Sequence, residues 1–279
     1  MFVDSHIHII DPERFPFMPG AGYTPRSPAE CGSFEQLEAV MAARGVSHGL
    51  LVQPSCYGND NRAMLDAIGR SEGRLRGIAV VDTGISDTQL DRLSEAGIVG
   101  ARFNLMQGDA QVFTRLDVAA FLTKLQARGW YLEVYADSAR WAELAPRLAD
   151  SGVKVIVDHW GGPDRAGGVA QDGFQVMLRA AQAAGNWTVK FSAAFRLSDA
   201  GPHYEDLSPF VAPLLDGFGS PNCVWGSDWP FINLTRRPNY ADLQHALELW
   251  IHDAAVRAGI LSGNPARLFG FGAASRAGT

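Results

Sequence analysis

Cysteine is scarce in this chain. There are three, Cys31, Cys56 and Cys223, far apart and without a C-x-x-C pair. That argues against a disulfide framework or a thiolate metal site, and the default it leaves is a reduced, cytoplasmic protein. Long apolar runs are also missing. None approaches the roughly 18 consecutive apolar residues of a membrane span. The N-terminus lacks the basic flank and long apolar core of a secretory signal, since Asp4 and His6 interrupt it early. Positive charge is not in excess: 24 basic against 30 acidic residues give a formal net charge of -6. This argues against nucleic acid or an anionic membrane as the partner. No G-x-G-x-x-G follows the first apolar run and no G-x-x-x-x-G-K-[ST] occurs, so the fingerprints of nucleotide-binding sheets are absent. There is no low-complexity segment and no evident domain boundary.

What is present is strand and helix in alternation. Apolar runs of strand character lie at Phe2–Ile9, His48–Ser55, Leu75–Asp82, Ile98–Leu105, Tyr131–Asp137, Lys154–Trp160, Thr188–Ala193 and Cys223–Pro230. Nearly every gap carries helical periodicity. Ser33-Phe34-Glu35-Gln36 and Ser86-Asp87-Thr88-Gln89 open two helices with capping boxes. Leu116–Arg128 is amphipathic, and Pro146 should kink or break the helix around Ala139–Ala149. Eight such repeats predict a closed (β/α)8 TIM barrel over residues 1–272, with a disordered tail at 273–279. An open doubly wound sheet is the competing arrangement. The 279 residues suit one barrel domain of about 250 residues. The Pro-, Gly- and aromatic-rich stretch Asp11–Cys31 follows the first strand, where a barrel places its active-site loops. It is either an ordinary surface loop or a cover for substrate.

Strand one carries His6 and His8 two residues apart, with Asp4 two before them. By alternation all three share a face. Paired imidazoles begin a metal site or a proton-handling cluster, or are simply satisfied by neighbours. The other strand ends add to them. Strand two offers Ser55 and Tyr57, which could equally be turn residues. Strand four turns Arg102 and Asn104 towards the interior, and a buried arginine needs a partner or an anionic substrate. Strand five puts Glu133 and Tyr135 on one face. On strand six, Val155, Val157 and His159 alternate, which predicts His159 inward and Asp158 outward as a buried structural acid. Strand seven gives Lys190 and, beyond its end, Arg196. Strand eight ends in Asp228, a fixed carboxylate or a cap for the next segment. Strands one and eight adjoin in a closed barrel, so Asp228 should lie beside the two histidines. The set suits hydrolysis: an aspartate as general base on water, histidines to bind a divalent metal or a developing oxyanion, arginines to hold a carboxylate.

Asp4-Ser5-His6-Ile7-His8, Asp158-His159, Trp225-Gly226-Ser227-Asp228-Trp229-Pro230 and Gly263-Asn264-Pro265-Ala266-Arg267-Leu268-Phe269-Gly270 together resemble the amidohydrolase superfamily. More narrowly they resemble its lactonase branch, which acts on 2-pyrone-4,6-dicarboxylate and sugar-acid lactones. Gln53–Gly58 and Arg102-Phe103-Asn104 also look like that branch. The resemblance implies a (β/α)8 barrel, lactone hydrolysis, and catalytic roles for His6, His8, His159 and Asp228. Two departures narrow it. Strand four has Arg102 where many members carry a bridging Lys or Glu, and strand five has no histidine, so a binuclear metal centre is not expected. The same His6, His8, His159 and Asp228 would hold one Zn2+ or other divalent cation, if the enzyme is not metal-independent. Arg102 and Arg196 match the branch, but Leu105–Gly108 and Trp160–Gly162 supply no further arginine, which weakens the grip on a dicarboxylate.

The expectation is a lactone hydrolase whose partner is a small-molecule lactone, with a homo-oligomer left open. Asp228 deprotonates water; His6, His8 and His159 stabilise the oxyanion directly or through Zn2+. Arg102 and Arg196 anchor a substrate carboxylate, and Tyr57, Tyr135 and Ser55 make further contacts. The rivals are a decarboxylase or hydratase of the same superfamily, and a barrel that binds a small acid without turning it over.

Overall fold

The computed structural model describes residues 1–106, 113 and 117–272. The expected disordered tail, Gln107-Gly108 and the start of the helix at Leu116 lie outside the described residues. Eight parallel strands form one sheet in sequence order. They are β1 Val3–Ile7, β2 His48–Val52, β3 Leu75–Ala79, β4 Ile98–Asn104, β5 Tyr131–Tyr135, β6 Lys154–Val157, β7 Thr188–Ser192 and β8 Cys223–Gly226. β8 returns to β1: Asp228 N–H donates to His6 O at 2.9 Å and His8 N–H to Trp229 O at 2.9 Å. The sheet is thereby closed into a (β/α)8 TIM barrel, as the alternation predicts.

The crossovers are α1 Phe34–Arg44, α2 Arg62–Arg70, α3 Asp87–Glu95, α4 Val118–Ala127, α5 Trp141–Ser151, α6 Asp172–Ala184, the one-turn α7 Ala194–Leu197, α8 Ser208–Phe218 and α9 Tyr240–Trp250. Two short helices follow, α10 Ala254–Ala258 and α11 Asn264–Phe269. Both capping boxes form: Ser33 and Ser86 accept from the N–H groups of Gln36 and Gln89, whose side chains return the bond. α5 runs through Pro146 without a break. Trp141, Leu144, Ala145 and Leu148 are buried on one side of that helix, and this packing outweighs the single hydrogen bond that proline removes. No helix among the described residues is long and apolar enough to cross a membrane.

The barrel interior has an apolar floor at the N-terminal end of the strands. Val3, Leu50, Val52, Ile78, Tyr131, Ile156 and Val224 meet there, and Phe269 and Phe271 plug it from below. Removing each such side chain from water is worth roughly 1.5–3 kcal/mol. The layer directly above this floor is charged.

Two departures from simple alternation decide which residues rise above the floor. β1 pairs Asp4 with Gly49 but Ile7 with Leu51, so β1 has one residue more than β2 over that interval. Val3 therefore faces the floor and Asp4 the outside, where its Oδ2 accepts from Tyr240 on α9 at 2.6 Å. After the bulge His6 and His8 face in. Asp4 thus does not share their face, contrary to the alternation reading. On β6 the inward face belongs to Ile156 and Asp158, while Val155 and Val157 pack outward against the helices. His159 still enters the barrel, because the chain leaves the strand there with φ of 45° at His159 and 62° at Trp160. Asp158 and His159 both point inward, correcting the expectation that they would diverge.

Candidate active site

A charged layer sits directly on the apolar floor. β1 contributes His6, β4 Arg102, β5 Glu133, the end of β6 Asp158 and β7 Lys190. His6, Glu133, Asp158 and Lys190 have no exposed surface and Arg102 only 5%. Arg102 donates to Asp158 Oδ2 at 2.8 Å and lies 3.3 Å from Glu133 Oε1. Lys190 is bonded to Glu133 and stands 3.5 Å from Asp158 Oδ1. His6 Nδ1 is 3.0 Å from Asp158 Oδ1 and 3.2 Å from Lys190 Nζ. The layer is neutral by count, two carboxylates against two cations, which is how charges survive away from water. Burial pushes the Asp158 carboxyl up, but His6, Lys190, His159 and Arg102 outweigh it and hold it well below the usual range. Burial and the neighbouring Asp158 push Glu133 the other way, above the usual carboxylate range, against the pull of Lys190 and Arg102.

Above that layer lies a cavity of about 200 Å3 walled by His8, Tyr23, Arg102, Asn104, Met106, Tyr135, His159, Arg196, Asp228, Ile232 and Asn233. Asp228 is 1% exposed and stands in the left-handed region at φ 62°. Its Oδ1 lies 3.0 Å from His8 Nε2 and 3.5 Å from His6 Nε2; its Oδ2 accepts from Arg196 Nε at 2.7 Å. Burial pushes its carboxyl up, yet Arg196 and the bond with His8 outweigh burial and hold it well below the usual range. It is therefore ionised throughout the neutral range. Burial lowers His6 well below the ordinary histidine value and brings His159 down to about 4, so both imidazoles are neutral at pH 7. His159 Nδ1 meets Ser192 Oγ at 2.8 Å, and a hydroxyl can serve either tautomer of that ring.

The structure sorts the expected site residues. His8, His159, Asp228, Arg102, Arg196 and Tyr135 line one cavity, with His6 directly beneath it. Ser55 and Tyr57 do not line it. Ser55 Oγ accepts from Asn104 Nδ2 at 2.9 Å. The Tyr57 hydroxyl accepts from the Asp11 backbone at 2.9 Å, with its ring against Phe17. Both hold loops that frame the site. Arg102 reaches the cavity, but its guanidinium is engaged by Asp158 and Glu133, which leaves Arg196 as the more available cation. Tyr23 and Asn233 were not foreseen. Tyr23 comes from the Asp11–Cys31 stretch, whose aromatic content was the only signal, and it makes that stretch a wall of the cavity. Lys190 was seen as a strand residue but not as a partner of His6.

Among the described residues, two groups of buried donors have a geometry that could hold a metal ion: His6, His159 and Asp228, and His6, Glu133 and Asp158, each with ligand atoms within 4.8 Å of one another. The first fits one divalent ion. Two imidazoles and a carboxylate are a common donor set with a coordination position left open, and His6 Nε2 is buried without a hydrogen-bond partner. The His8 ring points the same way. Its Nδ1–H donates to Val52 O at 2.7 Å and its Nε2 lies 3.0 Å from Asp228 Oδ1, a contact that needs a proton or a cation between the two atoms. The second group already surrounds the Lys190 ammonium.

The family model described as Amidohydrolase matches residues 3–271. The chain belongs to the amidohydrolase family. Among its relatives, a 2-pyrone-4,6-dicarboxylate hydrolase of Comamonas testosteroni is 32% identical to this amidohydrolase over 277 residues, covering 96% of this chain and 89% of that one. A 4-sulfomuconolactone hydrolase of Hydrogenophaga intermedia is 32% identical over 276 residues, covering 96% and 88%. The crystal structure of a probable 2-pyrone-4,6-dicarboxylic acid hydrolase from Acinetobacter baumannii, with citric acid bound, superposes with a TM-score of 0.86 at 28% identity. It covers 97% of this amidohydrolase and 99% of the other chain.

Proposed function

We propose that this amidohydrolase opens a carboxylate-bearing lactone by hydrolysis. The observation that carries the reading is Asp228: an ionised carboxylate on the cavity wall, 3.0 Å from His8 and 2.7 Å from Arg196, in a chain related end to end to lactone hydrolases. Asp228 accepts a proton from a water as its oxygen attacks the lactone carbonyl. The neutral His159, with His6 and His8 beside it, faces the oxygen on which charge develops. The ring C–O bond then breaks, and Asp228 returns the proton to the departing ring oxygen. The products are the open hydroxy acid, or its keto tautomer from an enol lactone, and at neutral pH one proton released to solvent.

Arg196 anchors the substrate carboxylate through the guanidinium face not used by Asp228 and Ile232 O, with Arg102 behind it. Tyr135, Tyr23, Asn104 and Asn233 supply neutral donors around the ring. A single Zn2+ or similar ion, held by His6, His159 and Asp228, would supply Lewis acidity at the carbonyl oxygen. The decarboxylase and hydratase rivals find no support in the named relatives at about 32% identity.

A lactone panel read with a pH indicator, with and without chelator and added Zn2+, tests the reaction. Asp228→Asn should lower kcat by about 10^2–10^4-fold on any lactone that is turned over, while circular dichroism stays unchanged. Near-normal turnover in that variant removes the aspartate from the mechanism.

A further inference from the structure

We propose that Lys190 is a built-in cation, seated where His6, Glu133 and Asp158 would otherwise hold a second divalent ion, and that it positions His6 for the reaction. An ammonium has three protons to donate. Lys190 Nζ faces one atom from each member of that donor group: it is bonded to Glu133 Oε2, 3.2 Å from His6 Nδ1 and 3.5 Å from Asp158 Oδ1. All four side chains are fully buried, from four different strands, so neither water nor a mobile ion replaces the ammonium in the folded chain.

The charge count agrees. Glu133 and Asp158 need two positive charges, and Arg102 and Lys190 provide them, with Arg102 taking the outer oxygens Glu133 Oε1 and Asp158 Oδ2. A lysine on a four-carbon stem places a point charge at a fixed spot without depending on metal supply. Through Asp158 and directly, it also fixes the His6 ring, whose opposite nitrogen lies 3.5 Å from Asp228. Lys190 is a positioning residue in this account, touching His6 rather than substrate. The cation belongs to the layer beneath the proposed site and is tested without any lactone, while the positioning of His6 rests on the proposed hydrolysis.

The first test needs no variant. The chain has only three lysines, Lys124, Lys154 and Lys190. In 15N-lysine-labelled protein at neutral pH, one Nζ–H3 signal should exchange slowly with solvent, as an ammonium bonded to a buried carboxylate and shut off from water must. Its absence overturns the proposal. Mn2+ added to chelator-treated wild type should bind with a stoichiometry of at most one per chain, without a spin-coupled signal. A coupled pair in the wild type also overturns it.

Lys190→Ala should take up one further Mn2+ and show the coupled pair. Lys190→Met fills the space without the charge and should not. Folded Lys190→Ala with wild-type stoichiometry is a refutation. On a turned-over lactone, Lys190→Met should lose about 10–100-fold in kcat with KM little changed, and added methylammonium should restore part of the loss in Lys190→Ala but not in Lys190→Met. Where a variant fails to fold, the two wild-type measurements decide.

Discussion

The floor of the barrel interior and the layer above it are a few ångströms apart and built by opposite means. Val3, Ile78, Tyr131, Ile156 and Val224 fill the floor with Phe269 and Phe271 beneath, and the floor contributes stability by keeping apolar surface from water. His6, Arg102, Glu133, Asp158 and Lys190 fill the next layer with charges whose desolvation their mutual attraction at best repays. An apolar layer of the same volume would fold at least as well. The charged layer is explained by what it holds in place: a neutral His6, two spent carboxylates, and an Asp228 left as the acceptor facing the cavity.

Substitutions should separate the two layers cleanly. Phe269→Ala removes the plug, whose ring packs edge-on against Tyr131 with centroids 5.6 Å apart. It should cost about 3–5 kcal/mol in urea denaturation while kcat of the surviving folded fraction holds, the reverse of Asp228→Asn. A large fall in kcat would mean that the floor tunes the site, and the contrast between layers would fail.

A buried carboxylate outside the barrel sharpens the contrast. Burial raises Asp4 to about 6 despite its bonds from Ser227, Tyr240 and His6. Its unfolded value is near 3.8. Between those values the folded state binds more protons, so raising the pH through the window destabilises it. Asp4→Asn lacks this titration. Wild-type stability relative to that variant should therefore fall between pH 4 and 6, by on the order of 2–3 kcal/mol, and level off above. Parallel urea curves at four pH values would show it; a flat difference would place the Asp4 carboxyl near its ordinary value.

The smallest effect concerns Tyr57. Tyr57→Phe leaves the Asp11 N–H without its acceptor and should cost about 1 kcal/mol of stability. KM for a lactone should not move, because the hydroxyl is not in the cavity wall. A raised KM would return Tyr57 to the substrate-contact role that its sequence position suggested.

All eight strands were legible from apolar runs, and all eight runs were read too long at their C-terminal ends. Lys154–Trp160 became Lys154–Val157, and Cys223–Pro230 became Cys223–Gly226. On the sixth and eighth strands the overrun holds site residues. Asp158, His159, Asp228 and Trp229 follow apolar residues in sequence but sit on turns, with positive φ at His159, Trp160 and Asp228. Periodicity has no means of reading that backbone. The four residues of the motif were visible for a different reason: histidines and aspartates at strand tips are unusual in an apolar context. Lys190 stayed unassigned because its meaning lies in three partners on three other strands. Tyr23 stayed hidden because a loop has no period at all.

The H-x-H spelling owes its effect to an uncounted neighbour. Because β1 spends one more residue than β2 between Asp4 and Ile7, the parity of everything after it is reversed. Delete one residue between Asp4 and His6 and the letters His-Ile-His survive intact, but the rings look out at the helices, and Ile7 takes the place above the floor. The motif is a word whose reading frame is set by a silent letter before it.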